Sequence, residues 1–582
     1  MARNAYPRPE LVRDQWLNLN GEWEFEMDTS LSAQARGVFE KEKLNGVIQL
    51  PFCPESKLSG VEHKDFINAC VYARTIPLKK EADKRFLLHF EAAYHDTTVF
   101  VNGRDMGSHA GGYTPFTFDI TDAVRDGDNR VVVYCRGDSR DPRQPSGKQC
   151  ENYASFGCLY TRSTGIYATV WLETVPTQYV ENVQIETDPD NACVNSILSL
   201  KGAGVKEITF KVTYQGKAVS EICKKTSAQR LIAELSVPSP VLWNPGDPHL
   251  YDLEITLKSA SGEDRVRTYF GMRKIEWDQN GLKINGRRIY QRLILDQGYF
   301  PDGIYTAPDD SCFKADIERT MRVGFNGARL HQRVFDRLYL YEADKAGFMV
   351  WGEYANWGFD YSAPDALRYF LPEWREAVQR DISHPALIGW CPFNETWDHG
   401  GFYPDKHNSL LREIYRTTKQ MDPSRPCIDT SGNFHVETDF YDIHDYNQSV
   451  DVFKQRYTPL KGDQIYENFG HRQHYAGQPY MVSEYGGIRW IPEFEQTDDP
   501  TVWGYGESPK TVEEYLERFE GLTLALSRSE KVTGVCYTQL YDVELERNGI
   551  YCYDRTPKFT EEQMDRMARA MRAPAAIESA EA

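Results

Sequence analysis

The chain lacks the cysteine pairs, the long apolar runs and the excess positive charge that mark several large classes of protein. Its 12 cysteines are scattered, with no Cys-x-x-Cys pair. Several of them fall inside strand patterns, as in Val133-Tyr134-Cys135 and Trp390-Cys391. We therefore expect small buried thiols in a reducing compartment, which excludes a disulfide framework and a cysteine zinc site.

No apolar run approaches the length of a membrane-spanning helix, and residues 1–12 contain no apolar core of the kind a signal peptide has. These absences favour a cytoplasmic protein with no membrane partner. The net charge of −19 argues against nucleic acid or an anionic membrane as the main partner. Solubility alone is the simpler explanation of that charge.

The composition indicates several domains, the first two of them rich in strands. At 582 residues the chain is too long for one core, and its 12 Trp and 35 Tyr suit β-strands and stacking on sugars. Short alternating runs separated by turn signals such as Asn102-Gly103 predict a jelly-roll β-sandwich over residues 1–178. A second strand-rich stretch, residues 179–275, has the length of an immunoglobulin-like β-sandwich.

From residue 276 the pattern changes to apolar strands that alternate with helical segments, which is typical of βα units. The periodicity predicts helices over residues 316–322, 335–345, 366–380, 408–420 and 511–527, and strands over residues 347–351, 387–393, 480–482 and 532–537. Residues 276–574 suit a (β/α)8 TIM barrel, whose active sites lie at the carboxyl ends of its strands. Residues 575–582 are expected to be a frayed or disordered tail.

Two glutamates each end an apolar strand at the same edge of this predicted barrel. Glu395 follows residues 387–394, and Glu484 follows residues 479–483. A charged side chain at the end of a buried run is costly unless it is paired, hydrogen-bonded or used. Two such acids are what a glycosidase needs, one to protonate the leaving oxygen and one to attack the sugar carbon. For either residue alone, a carboxylate bonded to a neighbouring loop is the plainer alternative.

Short motifs follow one another along the chain in a characteristic order. They are Leu19-Asn20-Gly21-Glu22-Trp23, Phe100-Val101-Asn102-Gly103, Gly111-Gly112-Tyr113-Thr114-Pro115-Phe116, Gly165-Ile166-Tyr167, Leu242-Trp243-Asn244-Pro245, Phe270-Gly271-Met272-Arg273, Leu282-Lys283-Ile284-Asn285-Gly286-Arg287, Gly324-Phe325-Asn326 and Asn394-Glu395. In this order the chain resembles glycoside hydrolase family 2, the group of bacterial β-galactosidases, β-glucuronidases and β-mannosidases. The resemblance spans nearly the whole chain and implies a retaining hydrolase.

The resemblance also implies roles for individual side chains. Glu395 would be the acid/base, and Glu484 would be the nucleophile that forms a covalent glycosyl-enzyme. Asn394 would bind the sugar 2-hydroxyl, Arg329 would hold Glu484 ionised, and Tyr446 would face the nucleophile.

Further candidates for sugar contact lie at other strand ends. They are His331, His444, Asp296 and the tryptophans Trp351, Trp357, Trp397 and Trp490. A histidine is as often a satisfied structural residue, and tryptophans also fill cores. Scattered acids and histidines lack metal-ligand spacing, and double displacement needs no metal, so neither a metal nor a cofactor is expected.

The resemblance leaves the sugar open. The Asn-x-Lys motif with which β-glucuronidases of this family grip the substrate carboxylate is absent from residues 544–551, and residues 295–303 depart from the pattern of typical β-galactosidases. Arg333 or Arg337, with Arg292 nearby, is a candidate replacement clamp for a uronate. A structural ion pair of Arg337 with Asp336 or Glu342 is the alternative.

We therefore expect an exo-acting retaining β-glycosidase that releases terminal β-linked galacto-configured sugars, either β-galacturonides or β-galactosides. One alternative is a β-glucuronidase with a non-standard arginine clamp. The other is a non-catalytic carbohydrate-binding protein, against which the two acids argue. The partner would be a carbohydrate or glycoconjugate, and the resemblance suggests a dimer or tetramer by analogy.

Overall fold

The computed structural model describes residues 3–396, 408–469 and 475–579. The first sandwich contains β1 (Trp16–Asn18), β2 (Gly21–Met27), β3 (Gly46–Leu50), β4 (Ala69–Leu78), β5 (Lys84–Phe90), β6 (Ala93–Tyr94), β7 (Asp96–Val101), β8 (Arg104–Ala110), β9 (Phe116–Asp119), β10 (Gly127–Arg136), β11 (Gly165–Ile166) and β12 (Val170–Pro176). Its larger sheet has the order β3-β2-β4-β10-β7-β8 and faces the sheet β1-β12-β5-β9. All of these pairings are antiparallel. Alternating apolar side chains fill the space between the sheets.

The second sandwich contains β13 (Tyr179–Asp188), β14 (Cys193–Lys201), β15 (Lys206–Tyr214), β16 (Lys217–Thr226), β17 (Arg230–Ser236), β18 (Tyr251–Ser259) and β19 (Gly262–Phe270). Its sheets have the orders β13-β14-β17 and β16-β15-β18-β19. In β18 every second residue is buried, from Tyr251 to Leu257. This period of two buries one face of each sheet, as an immunoglobulin-like sandwich requires.

A small antiparallel sheet of β20 (Ile275–Asp278), β21 (Gly281–Ile284) and β22 (Arg287–Arg288) leads into the barrel. The barrel strands are β23 (Gln291–Asp296), β24 (Gly327–Leu330), β25 (Met349–Glu353), β26 (Leu387–Cys391), β27 (Tyr441–Asp445), β28 (Tyr480–Gly486) and β29 (Val532–Thr538). They form one parallel sheet with the order β26-β25-β24-β23-β29-β28-β27. Residues 426–431 add to it by backbone hydrogen bonds with residues 390–395. The fold class is therefore the one the sequence predicts.

The helices are α1 (Ser311–Arg322), α2 (Arg337–Ala346), α3 (Ala366–Asp381), α4 (Asn408–Met421), α5 (Val450–Tyr457), α6 (Val512–Ser527), α7 (Glu561–Met571) and α8 (Ala576–Ser579). The sequence reading missed α5, α7 and α8. None of the described helices is both long enough and apolar enough to cross a membrane. The 12 cysteines are free thiols, and most of them are buried.

The end of the chain does not fray where the sequence predicts it. Ala575 and Ile577 are buried, and Glu578 pairs with Arg292 through Oε2 and Nη2 at 2.7 Å. The Arg292 guanidinium also donates to the carbonyls of Met571 and Ala573. These contacts hold the C-terminal segment against the barrel as far as residue 578. Arg292, proposed from the sequence as part of a cationic clamp, binds this segment instead.

A buried ionic group joins the two sandwiches. The Arg13 guanidinium lies 3.0 Å from Oε2 of Glu173 in β12 and 2.8 Å from Oδ1 of Asp264 in β19. Burial raises the pKa of Glu173, but Arg13 and the groups that hydrogen-bond the carboxylate outweigh it and lower the pKa to about 2. Ionised Glu173 therefore stabilises the fold at pH values above the ordinary pKa of a glutamate. This stabilisation is lost as the pH falls toward 2.

We expect Arg13→Met to lower the free energy of unfolding by about 3–5 kcal/mol at pH 7, because it leaves two buried carboxylates without their cation. The difference in free energy of unfolding between variant and wild type should shrink in acid, because protonation removes the charge of the two unpaired carboxylates. Chemical denaturation across pH measures both effects. Arg265→Met, which removes an exposed arginine paired with Glu263 on the same sandwich, is the control and should change stability little. A loss equal to that of the control contradicts the proposed role of Arg13.

Candidate active site

The two glutamates singled out by the sequence lie at the carboxyl edge of the parallel sheet. Glu484 belongs to β28, and Glu395 follows β26 by four residues. The Glu395 backbone has φ 46°, in the left-handed region that residues with a Cβ rarely adopt. Its N–H donates to the Ser431 carbonyl at 2.9 Å, which fixes this turn. Such a conformation persists where the surroundings hold it, and it is common at functional sites.

The acids converge on one point. One ligand atom from each of Glu395, His444 and Glu484 lies within 4.8 Å of the other two. The Glu484 side chain is 5% exposed and the Glu395 side chain 16% exposed. One acid is therefore almost closed off, while the other keeps more contact with solvent.

Arg329, at the end of β24, connects the residues around Glu484. Its Nη1 donates to Glu484 Oε1 at 3.1 Å, its Nη2 to Asn394 Oδ1 at 3.0 Å and its Nε to Glu353 Oε1 at 2.7 Å. The side chain is 1% exposed. Burial lowers the pKa of Arg329, but Glu353 and Glu484 outweigh it and raise the pKa well above its usual value. A permanently charged arginine thus lies beside Glu484.

Glu353, at the end of β25, is the second acid on this arginine. It also contacts His331 Nδ1, at 3.2 Å from Oε2. Burial raises the pKa of Glu353, but Arg329 and His331 outweigh it and lower the pKa. The pKa of His331 is lowered, mainly by burial and in part by the charge of Lys148. His331 is therefore expected to be neutral, bound to Glu353 through one ring nitrogen.

Tyr446 contacts the other oxygen of Glu484. Its hydroxyl donates to Oε2 and lies 3.0 Å from Thr538 Oγ1 at the end of β29. The ring stacks on Tyr505 with centroids 3.4 Å apart. Burial, followed by the charge of Glu484, raises the pKa of Tyr446 well above its usual value. The hydroxyl therefore keeps its proton and remains a donor to Glu484.

His444 lies between the two acids. Its Nδ1 is 2.7 Å from Glu395 Oε1 and 3.3 Å from Glu484 Oε2. Its Nε2 contacts Ser431 Oγ at 3.1 Å, and that hydroxyl donates to Asp442 at 2.6 Å. Burial lowers the pKa of His444, but Glu484 and Glu395 outweigh it and raise the pKa. The ring is thus placed to share a proton with Glu395.

Asn394 is held from three sides. Its backbone N–H donates to Asn356 Oδ1 at 2.9 Å, and its carbonyl accepts from Asn356 Nδ2 and Trp357 Nε1, each at 3.0 Å. Its Oδ1 accepts from Arg329, and no described residue accepts from its Nδ2. The amide nitrogen therefore remains as a donor for a ligand.

Sequence reasoning missed a second polar group beside the acids. Tyr160, from the first sandwich, contacts Glu546 and accepts from Gln297 Nε2 at 3.1 Å. Glu546 also accepts from Asn548, which in turn accepts from Gln539 at 2.8 Å. The Oε1 atoms of Gln297 and Gln539 are buried without a partner among the described residues. The only available signal was that both glutamines follow barrel strands.

Two tryptophans and one aspartate proposed from the sequence have no described contact with Glu395 or Glu484. Trp351 is 1% exposed and donates to Gln291 at 2.7 Å inside the barrel, so it is core. Asp296 accepts from the Gly298 N–H at 2.8 Å, and burial with nearby Asp316 raises its pKa to about 6. Trp490 packs at a tilt against Tyr515, with ring centroids 6.3 Å apart. Trp397 lies outside the described residues, whereas Trp357 does contact Asn394.

The two arginines proposed as a carboxylate clamp are occupied by the protein. Arg333 donates to the carbonyls of Gly298 and Tyr305, with its guanidinium 4.2 Å from the Tyr305 ring centroid. Arg337 pairs with Glu10 and, at 3.2 Å, with Glu91. Both line a cavity of about 30 Å³ against the first sandwich. These contacts contradict the clamp interpretation, because backbone carbonyls bind Arg333 and acids of the first domain bind Arg337. The surface pair of Arg337 with Asp336 or Glu342 is also absent among its described contacts.

The Glu395, His444 and Glu484 group is the set of described residues that could hold a metal ion, since its ligand atoms are close together. Two carboxylates and an imidazole can bind zinc. The same separation suits two acids that act on opposite sides of one bond. The hydrogen bonds from Tyr446 and Arg329 already satisfy both oxygens of Glu484 without a metal ion.

Comparisons with known proteins match all three domains. The models "Glycosyl hydrolases family 2, sugar binding domain", "Glycosyl hydrolases family 2" and "Glycosyl hydrolases family 2, TIM barrel domain" match residues 57–176, 178–273 and 333–571. A putative beta-glucuronidase from Formosa agariphila is 26% identical over 73% of this chain and 54% of its own length. A beta-galactosidase from Thermoanaerobacter pseudethanolicus is 26% identical over 69% of this chain and 52% of its own length.

The chain thus spans about half the length of these curated relatives. Among solved structures, the beta-D-glucuronidase of Dictyoglomus thermophilum matches with a TM-score of 0.78 and 20% identity, over 98% of this chain and 99% of that one. This likeness concerns the fold. Because the family models together match most of the sequence, the chain belongs to glycosyl hydrolase family 2.

Proposed function

We propose that the protein is an exo-acting retaining β-glycosidase in which Glu395 is the acid/base and Glu484 the nucleophile. The observation that carries this proposal is the approach of the two carboxyl groups to within 4.8 Å. Retaining glycosidases hold their two carboxyl groups about 5–5.5 Å apart, whereas inverting enzymes leave room for a water. The difference in exposure fits the roles, because the acid/base must later admit water.

The first step breaks the glycosidic bond. Glu484 attacks the anomeric carbon while Glu395 gives its proton to the departing oxygen, so a glycosyl ester forms on Glu484 and the aglycone leaves as an alcohol. Arg329 and Tyr446 each bind one oxygen of Glu484 and direct the carboxylate. In the second step Glu395 takes a proton from water, which attacks the same carbon and releases the sugar with its original configuration.

The free amide nitrogen of Asn394 is the proposed donor to the sugar 2-hydroxyl. Arg329 fixes the amide by binding its oxygen, so the nitrogen is oriented before substrate arrives. A bond to this hydroxyl strengthens as positive charge develops on the sugar ring. Gln297 and Gln539, with their unpartnered buried oxygens, are proposed to accept from other hydroxyls.

For the sugar itself we propose a galacto configuration, either a β-galacturonide or a β-galactoside. The relatives support it in combination, since they are named both beta-galactosidase and beta-glucuronidase. A galacturonide shares its C4 configuration with the galactosides that beta-galactosidases are named for. It shares its carboxylate with the glucuronides that beta-glucuronidases are named for. Tyr160 of the first sandwich contacts Glu546 of the barrel, and we propose that this contact limits the site to a terminal sugar.

Azide rescue distinguishes the two glutamates. On a dinitrophenyl β-glycoside we expect Glu484→Ala to lose at least about 10⁴-fold in kcat. Added azide should then give the α-glycosyl azide, because it attacks from the vacated face. Glu395→Ala should form the glycosyl-enzyme from this good leaving group and give the β-azide instead. NMR of the product anomers is the measurement, and unchanged activity of Glu484→Ala removes the assignment.

A panel of 4-nitrophenyl β-glycosides tests the sugar. Galactoside, galacturonide, glucuronide, glucoside and mannoside are compared by kcat/KM. We expect the highest values for the galacto-configured pair, because a hydroxyl-binding site discriminates strongly against a misplaced hydroxyl. A preference for the glucuronide over the galacturonide would replace the galacto proposal with the β-glucuronidase alternative.

We expect His444→Gln to move the alkaline limb of kcat/KM to lower pH, by roughly one unit. The raised pKa of His444 keeps a proton on the His444–Glu395 pair as the pH rises, and that proton is lost only above the raised value. Without the ring, only one of the two protonated forms remains, so the proton is lost earlier. His249→Gln, in the second sandwich, is the control, and an alkaline limb that stays in place contradicts proton sharing.

A further inference from the structure

A loop from the first sandwich brings a lysine to the site. Between β10 and β11, the backbone N–H groups of Ser146 and Gly147 donate to the Trp357 carbonyl at 2.9 and 3.0 Å. Gly147 has φ +58°, and a Cβ there would lie 2.4 Å from the Gln332 carbonyl oxygen. The Lys148 carbonyl accepts from the Tyr160 N–H at 2.7 Å. The backbone around Lys148 is therefore bound to the barrel on one side and to Tyr160 of its own domain on the other.

The Lys148 ammonium lies over the residue that holds Asn394. Its Nζ is 3.9 Å from the Trp357 ring centroid, and Trp357 donates to the Asn394 carbonyl. Lys148 is only 5% exposed. Burial lowers its pKa, but Cys158 and the carboxylates of Glu546, Glu395 and Glu484 outweigh it and raise the pKa. The side chain is therefore a charged ammonium within electrostatic reach of both catalytic acids.

This ammonium has no partner among the described residues beyond the Trp357 ring. No carboxylate of the described residues lies within 4.0 Å of the Lys148 Nζ, and no acceptor of these residues forms a hydrogen bond with it. Lys558, a buried lysine of the barrel, contrasts with it, since its Nζ lies 2.6 Å from Asp542 and 2.7 Å from the Trp490 carbonyl. A buried charge costs several kcal/mol unless it is paired, and an aromatic face returns only about 2 kcal/mol of that.

The acids around Lys148 are engaged elsewhere. Glu546 accepts from Tyr160 and Asn548, while Glu484 is bound by Arg329 and Tyr446. The missing partner of the ammonium is therefore expected to arrive with the ligand. A carboxylate offers charge and several acceptor lone pairs, whereas a sugar hydroxyl offers no charge to offset the buried cation.

We propose that Lys148 binds the carboxylate of the substrate, so that the glycone is a hexuronic acid. This inference rests on the proposed glycosidase function and narrows its substrate class to acidic sugars. Lys148 then acts as a specificity-determining residue supplied by the first sandwich, in the place that the sequence reading gave to Arg333 or Arg337.

The test compares two substrates that differ only at C6. For 4-nitrophenyl β-galacturonide we expect Lys148→Met to lower kcat/KM by about 100-fold, because it removes one partner of a buried charge pair. For the corresponding galactoside, with a neutral C6 hydroxymethyl group, the change should stay within about five-fold. Lys148→Arg, which keeps the charge, should recover part of the uronide activity. Lys345→Met is the control, since Lys345 lies over the Tyr341 ring on α2, half exposed to solvent.

Binding gives a readout independent of turnover, and the galactoside activity of Lys148→Met shows that the variant folds. Calorimetric titration of Glu484→Gln with free galacturonate should show affinity that weakens as salt is raised, and Lys148→Met in that background should abolish it. Equal losses for both substrates, or salt-insensitive galacturonate binding, would overturn the role of Lys148 while the glycosidase proposal stands. If the wild type hydrolyses no member of the glycoside panel, the proposed function itself fails.

Discussion

The site depends on one buried cation, Arg329. Its guanidinium is bound by Glu353, Glu484 and Asn394, which lie at the ends of β25 and β28 and just after β26. Burying an arginine costs several kcal/mol unless nearly every donor is paired. These acceptors come together only when the parallel strands close side by side, so folding of the barrel and assembly of the site are one event. The orientations of Glu484 and Asn394 both follow from that closure.

The site is nevertheless not made by the barrel alone. Tyr160 and Lys148 come from the first sandwich, and each reaches a residue that follows a barrel strand. Their positions require the sandwich to sit at a fixed angle on the barrel. The buried Arg337 contacts contribute to that constraint, because they join helix α2 of the barrel to Glu10 and Glu91 of the first domain. An arginine proposed from the sequence as a ligand clamp thus helps to position the lysine.

Local signals were enough to predict the fold class and the two glutamates. The switch from a period of two to alternating strands and helices marks the start of the barrel, and an acid that ends an apolar run stands out because burial of a charge needs a reason. A single arginine or lysine in the sequence gave no comparable signal of its role. Whether Arg337 faces substrate depends on Glu10 and Glu91, which lie in other parts of the chain. Lys148 carries no local pattern at all, and its importance appears only once its missing partner is seen.

Irregular strand pairing explains why the position of His444 could not be predicted from the sequence. Pairing of β27 with β28 shifts register between Ile443 and His444, so that His444 stands opposite Glu484. A further shift occurs between β28 and β29, between Val482 and Tyr485. Such irregularities re-aim side chains next to active sites. A regular period of two would have continued the core alternation through these positions. The shift instead brings an imidazole to 2.7 Å from Glu395 and 3.3 Å from Glu484, so the shared proton depends on one extra residue in a strand.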